Sequence, residues 1–159
     1  MRISLLLLAL TATTATAQSR PPVLYFQFAG EGLGFSANLD VGVTQSVRLR
    51  AGAGWLWTAA TVPVSASYLL SRRNSTFEIG AGATLLIPPG RDTASNGFLE
   101  RMIEESFLLR GQDKMVVPMA LFGWRYHPHD GAILRVTLTP LLLRGQAHMY
   151  GGASFGFTF

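Results

Sequence analysis

Side chains that alternate between apolar and small or polar for about ten residues at a time leave few folds open to this chain. In 47–57, Val47, Leu49, Ala51, Ala53, Trp55 and Trp57 oppose Arg48, Arg50, Gly52 and Gly54. In 76–87, Phe77, Ile79, Ala81, Ala83, Leu85 and Ile87 oppose Glu78, Gly80, Gly82 and Thr84. The same period of two runs through 62–70, 132–143 and 151–159, where Phe155, Phe157 and Phe159 share a face opposite Ser154, Gly156 and Thr158. Successive side chains of a strand point to opposite faces, so each segment reads as a strand with two different surroundings.

Alternation alone fits a soluble sandwich as well as a membrane barrel. Three features favour the barrel. The polar faces carry small residues and arginines rather than the mixed lysine and glutamate of a solvated surface. Aromatics gather near strand ends, at Trp55 and Trp57, at Phe122, Trp124 and Tyr126, and at 155–159, as an interfacial girdle would. The segments also match the ~9–11 residues of a tilted transmembrane strand. Only 14% of residues are charged, against roughly 25% in soluble domains. In hydrocarbon every backbone N–H and C=O needs a protein partner, and only a closed sheet leaves no edge. The fold class expected is therefore all-β, a closed antiparallel transmembrane β-barrel of about eight strands.

The segments are 23–39, 46–57, 61–71, 76–88, 115–127, 132–143 and 148–159. The first changes phase midway: Leu24, Phe26 and Phe28 are apolar at even positions, Leu33, Phe35, Ala37 and Leu39 at odd ones. A turn near Gly30-Glu31-Gly32 makes eight strands; a bulge there makes seven. Even counts are the rule in single-chain bacterial outer-membrane barrels, which favours the turn. Joins at 71–75 and 127–131 are tight and read as periplasmic, whereas 89–114 is a long excursion expected outside the cell. Within it Ser95 or Asn96 suits the cap of a short helix from Gly97, with Leu99, Met102, Ile103, Ser106 and Phe107 on one face. This segment reads as a helix over the barrel mouth, as a partner-docking element, or as a mobile loop.

Residues 1–17 read as a cleavable signal peptide. Arg2 supplies the positive start, 3–10 the apolar core, and Ala15-Thr16-Ala17 a small-x-small site with cleavage after Ala17. The apolar run is about half of the ~20 residues that a spanning helix needs. Residues 18–159 then form the barrel domain. With no cysteine, a disulfide scaffold and a thiolate metal site are excluded. The formal charge of +4 is scattered, without the basic stripe that tracks nucleic acid.

The stretches FQFAGEGLGFSANLD (26–40), GAGAT (80–84), GWRYHP (123–128), TLTP (137–140) and SFGFTF (154–159) resemble, in order and spacing, a family of small outer-membrane β-barrels similar to the OmpA-, OmpX- and OmpW-type barrels. The resemblance spans nearly all of 18–159. It implies insertion by the outer-membrane assembly machinery, which in such families reads a terminal aromatic strand; Phe159 fits that signal. It implies no catalytic residue.

The chemistry-bearing residues then fall inside. Arg48, Arg50, Glu78, Arg125 and Arg135 share the inward faces with Gln27, Asn38 and His127, and should either pair into a polar plug or line water. The first reading gives a non-enzymatic barrel with a filled lumen, serving the envelope or docking a partner through 89–114. The second gives a small anion-preferring pore or carrier. A lipid-modifying enzyme is a third class; Ser36, Ser65, Ser67, His127 and Glu78 are available, but nothing in their spacing marks a nucleophile and base. His127-Pro128-His129-Asp130 reads as a turn rather than a metal site, because Pro128 and Asp130-Gly131 are turn signals. The glycines of 30–34 and 51–54 precede no helix, which phosphate cradling requires, and read instead as room for interior arginines and strand bending. No catalytic, metal or cofactor site is expected; the partners expected are membrane lipid and the assembly machinery.

Overall fold

A computed structural model describes residues 21–56, 59–70, 74–87, 115–127, 131–143 and 146–159. The leader (1–17) and the helix expected from Gly97 lie outside them. Eight antiparallel strands form a closed barrel in chain order: β1 (Val23–Ala29), β2 (Phe35–Gly42), β3 (Val47–Leu56), β4 (Ala59–Leu69), β5 (Ser75–Ile87), β6 (Met115–Tyr126), β7 (Ala132–Leu143) and β8 (Gln146–Thr158). The segment that changes phase is two strands and a turn. A 3-10 turn at Gly30–Gly32 reverses the chain, and β1 pairs with β2 from Val23↔Asp40 to Phe28↔Phe35.

The register shows how the ring closes. From Val23, cross-strand partners run through Asp40, Arg50, Ser65, Gly82, Met119 and Leu141 to His148. Yet β8 meets Val23 with Thr158, a stagger of ten residues (148 to 158). Eight strands with that stagger, at a rise of ~3.3 Å and a spacing of ~4.8 Å, tilt by roughly 40° around a radius of about 8 Å. A cylinder that narrow has an interior of side-chain dimensions.

The two faces are distinct. Outward positions are apolar, from Leu24, Phe26 and Phe28 on β1 to Ala153, Phe155 and Phe157 on β8, apart from Ser75 at the start of β5. Phe26 is 60% exposed and Val136 56%. A continuous apolar wall of this size is foreign to soluble monomers and suits hydrocarbon. Rings gather at both rims. Phe28, Phe35 and Trp55 contact one another at the loop end, with centroids 5.0 and 6.1 Å apart. At the terminal end Trp124 stacks on Tyr126 at 6.0 Å, and its Nε1 donates to Ser75 Oγ at 2.7 Å. Inside, all seven charged side chains of the described residues are buried.

Candidate functional site

The interior is layered. Toward the terminal end, period-two alternation puts Asp40 on β2, Arg48 and Arg50 on β3, Glu78 on β5, Arg125 on β6 and Arg135 on β7 on the inner face. Tyr25 joins them from β1. Asp40 is the hub: Tyr25 Oη donates to its Oδ2 at 2.7 Å, Arg50 Nη2 at 2.8 Å and Arg125 Nη2 at 2.9 Å, while Arg48 Nε pairs with Oδ1. Glu78 bridges two neighbouring strands, accepting from Arg125 Nη2 at 2.7 Å and Arg135 Nε at 2.5 Å. The guanidinium carbons of Arg50, Arg125 and Arg135 lie 5.2, 5.5 and 5.8 Å from the Tyr25 ring centroid, within cation–π reach. Since β2 and β6 stand on opposite walls, the Asp40–Arg125 pair spans the lumen.

The third carboxylate arrives differently. Glu31 sits on the turn between β1 and β2, which folds inward, and it is 0% exposed. Its Oε1 pairs with Arg50 Nη1 and accepts from Arg135 Nη2 at 2.6 Å, while Ser65 Oγ donates to Oε2 at 2.6 Å. The turn's backbone is anchored too. Thr84 Oγ1 donates to the Glu31 carbonyl at 2.5 Å and Tyr150 Oη to the Leu33 carbonyl at 3.0 Å. Leu33 enters an apolar cluster with Ala59, Leu86, Val117, Met119 and Leu141 that fills the loop-end half.

Pulling the turn inward strains it. Ala29 (φ 57, ψ −151) and Leu33 (φ 64, ψ −24) both hold positive φ, which non-glycine residues avoid by roughly 1–3 kcal/mol each. Gly30, at φ 68, packs so near Gln27 that a Cβ would lie 2.5 Å from its Nε2. The glycines of β3 do not make room for arginines: a Cβ on Gly52 would collide with Asn38 Oδ1 and lie 2.6 Å from the Ala37 carbonyl, so the space serves the close approach of β2.

Among solved structures, the chain is similar to the N-terminal β-barrel domain of Pseudomonas aeruginosa OprF, with a TM-score of 0.62 at 13% identity, covering 89% of this chain and 100% of that one. It is also similar to the de novo designed TMB2.3, with a TM-score of 0.57 at 12% identity, covering 89% and 95%. No protein-family model matches the sequence, and no curated protein matches it. The fold is that of a small outer-membrane β-barrel.

In this outer-membrane-type barrel the five charged residues singled out by alternation, Arg48, Arg50, Glu78, Arg125 and Arg135, meet in one cluster. Gln27 and Asn38 are buried on the same inner wall. His127 stands past the end of β6, half-buried, its N–H donating to the Asn74 carbonyl at 2.7 Å; Pro128, His129 and Asp130 lie outside the described residues. Three members escaped sequence reasoning. Asp40 and Tyr25 carry the inward parity of their strands, which was a usable signal. Glu31 carries none, because periodicity stops at a turn. Of the candidate nucleophiles, Ser65 is committed to Glu31, and Ser36 accepts from Asn38 Nδ2 at 2.8 Å.

Proposed function

We propose that this protein resides in a bacterial outer membrane as a non-enzymatic barrel with a filled lumen, giving structure to the envelope or docking a partner through 89–114. One observation carries the reading: ion pairs cross the barrel at mid-height, and the inward turn seats an apolar cluster above them. Stacked this way, the side chains obstruct water along the axis. The apolar outer face of the described strands, with its two aromatic rims, supports membrane residence. The loop end, where 88–114 leaves the sheet, faces outward, and the short joins between β2 and β3, β4 and β5, and β6 and β7 face the periplasm. Commitment of Ser65 to Glu31 supports the non-enzymatic part.

The surplus of arginines over carboxylates favours a second reading, an anion-preferring pore. Single-channel recordings on the refolded protein separate the two. A filled lumen gives no steady current. Steady anion-selective conductance lost in Arg48→Ala and Arg135→Ala would overturn that reading in favour of the pore. Heat-modifiable gel mobility with outer-membrane fractionation tests residence; recovery from the soluble periplasm, folded without detergent, defeats it.

A further inference from the structure

The buried charge does not balance. Four guanidinium groups face three carboxylates, and no other charged side chain of the described residues is available. The acceptors are used: Asp40 Oδ2 takes three donors and Glu31 Oε1 two. Beside one unmet acceptor, Asn38 Oδ1, the remaining capacity around the cluster is on donors. Arg50 Nε, Arg125 Nε and Nη1, and Arg135 Nη1 have no partner among the described residues.

These donors are not scattered. Arg125 on β6 and Arg135 on β7 are direct cross-strand partners, Arg135 is paired in turn with Ser154 on β8, and Ser154 with Gln27 on β1. Ser154 Oγ and Gln27 Nε2 are likewise without partners. One inward row over four adjacent strands thus carries successive residues with unmet donors, their Cβ positions about 5 Å apart. Like charges directly opposite one another on adjacent strands repel. Glu78 relieves that repulsion through Arg125 Nη2 and Arg135 Nε and leaves both Nη1 groups unanswered.

We propose that this row holds one small monovalent inorganic anion, of chloride size, between Arg125, Arg135 and Ser154. Such an ion accepts several N–H and O–H donors at once and cancels the single surplus charge. Water satisfies the donors but leaves that charge buried, which is costly in a low-dielectric interior. The inference rests on the filled-lumen reading, in which the anion is resident rather than in transit.

Bromide is the probe, on the full refolded protein in detergent. Urea midpoints are compared in sodium bromide and sodium gluconate at equal ionic strength, and crystals grown in bromide are read by anomalous scattering. The expected result is saturable stabilisation by bromide and one ion in contact with Arg135 and Ser154. Ser154→Ala should weaken bromide about tenfold through loss of one hydrogen bond to a charge. Arg135→Gln should abolish the response; because it also breaks ion pairs and endangers folding, Ser154→Ala carries the test alone. Equal midpoints in the two salts, a bromide response that Ser154→Ala leaves intact, or water in place of bromide overturns the anion site. Bilayer recordings keep the two readings apart. Steady current defeats the filled lumen, whereas a silent barrel indifferent to bromide defeats the anion site alone.

Discussion

The terminal half of the lumen and the loop half are walled by the same eight strands, yet the first holds the buried ion pairs and the second the larger apolar cluster. Around Asp40, Glu78 and the arginines, the ion pairs join adjacent strands (Arg50 to Asp40, Arg125 to Glu78) and more distant ones (Arg135 to Glu78, Arg125 to Asp40), and the groups are buried deeply enough that losing one partner strands another. Around Leu33, Leu86 and Val117, contacts are non-directional, and only volume matters. The difference teaches that the two halves should fail in different ways. The ionic half specifies which strand faces which, because a slipped register would leave a charge unpaired. The apolar half supplies cohesion and tolerates substitution that keeps its volume.

Breaking the ionic half should have the largest effect. Glu78→Leu leaves Arg125 and Arg135 without their shared carboxylate and should destabilise by about 3–5 kcal/mol in equilibrium urea unfolding from phospholipid vesicles. A loss under about 1 kcal/mol would mean that water reaches the cluster and that the contrast fails. Leu86→Ala in the apolar half should cost about 2–4 kcal/mol by the same measurement, from lost contact and a residual cavity. Conservative swaps sharpen the comparison. Arg135→Lys gives up a guanidinium that contacts both Glu31 and Glu78 and should cost roughly 2 kcal/mol. Leu86→Met keeps volume and should cost less than about 1.5 kcal/mol; the reverse order would show that packing, not charge geometry, defines the interior. The smallest effect is a gain. Ala29→Gly relaxes a residue at φ 57, ψ −151 and should stabilise by about 1 kcal/mol. Destabilisation there would show that the turn is not strained.

Much of this was legible in the residues, for a physical reason. A barrel wall has two sides and a strand has a period of two, so parity assigns Arg48, Arg50, Arg125 and Arg135 to one side without any knowledge of their partners. The phase change between Phe28 and Phe35 fits a turn or a bulge alike, and the even strand count of such barrels favours the turn that the structure contains. Asp40 fell just past a strand end set at Leu39, although Ser36 and Asn38 carry the same parity; the strand continues to Gly42. Tyr25 carries the inward parity of β1, but an aromatic beside Leu24 and Phe26 resembles the outer wall. Glu31 lay beyond reach, since its place depends on an inward turn that contacts β3, β4 and β7 together. The charge surplus emerges only when all seven side chains are placed.

Glu31 belongs to the first hairpin and Arg135 to the last, 104 positions apart in the chain. The sheet must therefore be wound around a side chain that entered at the start, as cloth is wound on a spindle. The contact between Glu31 and Arg135 forms only when β7 takes its place in the wall, after much of the chain's conformational freedom has been surrendered. A nascent cylinder missing its last hairpin would keep Glu31 short of one partner, so the unfinished form is marked electrically as well as by its open edge.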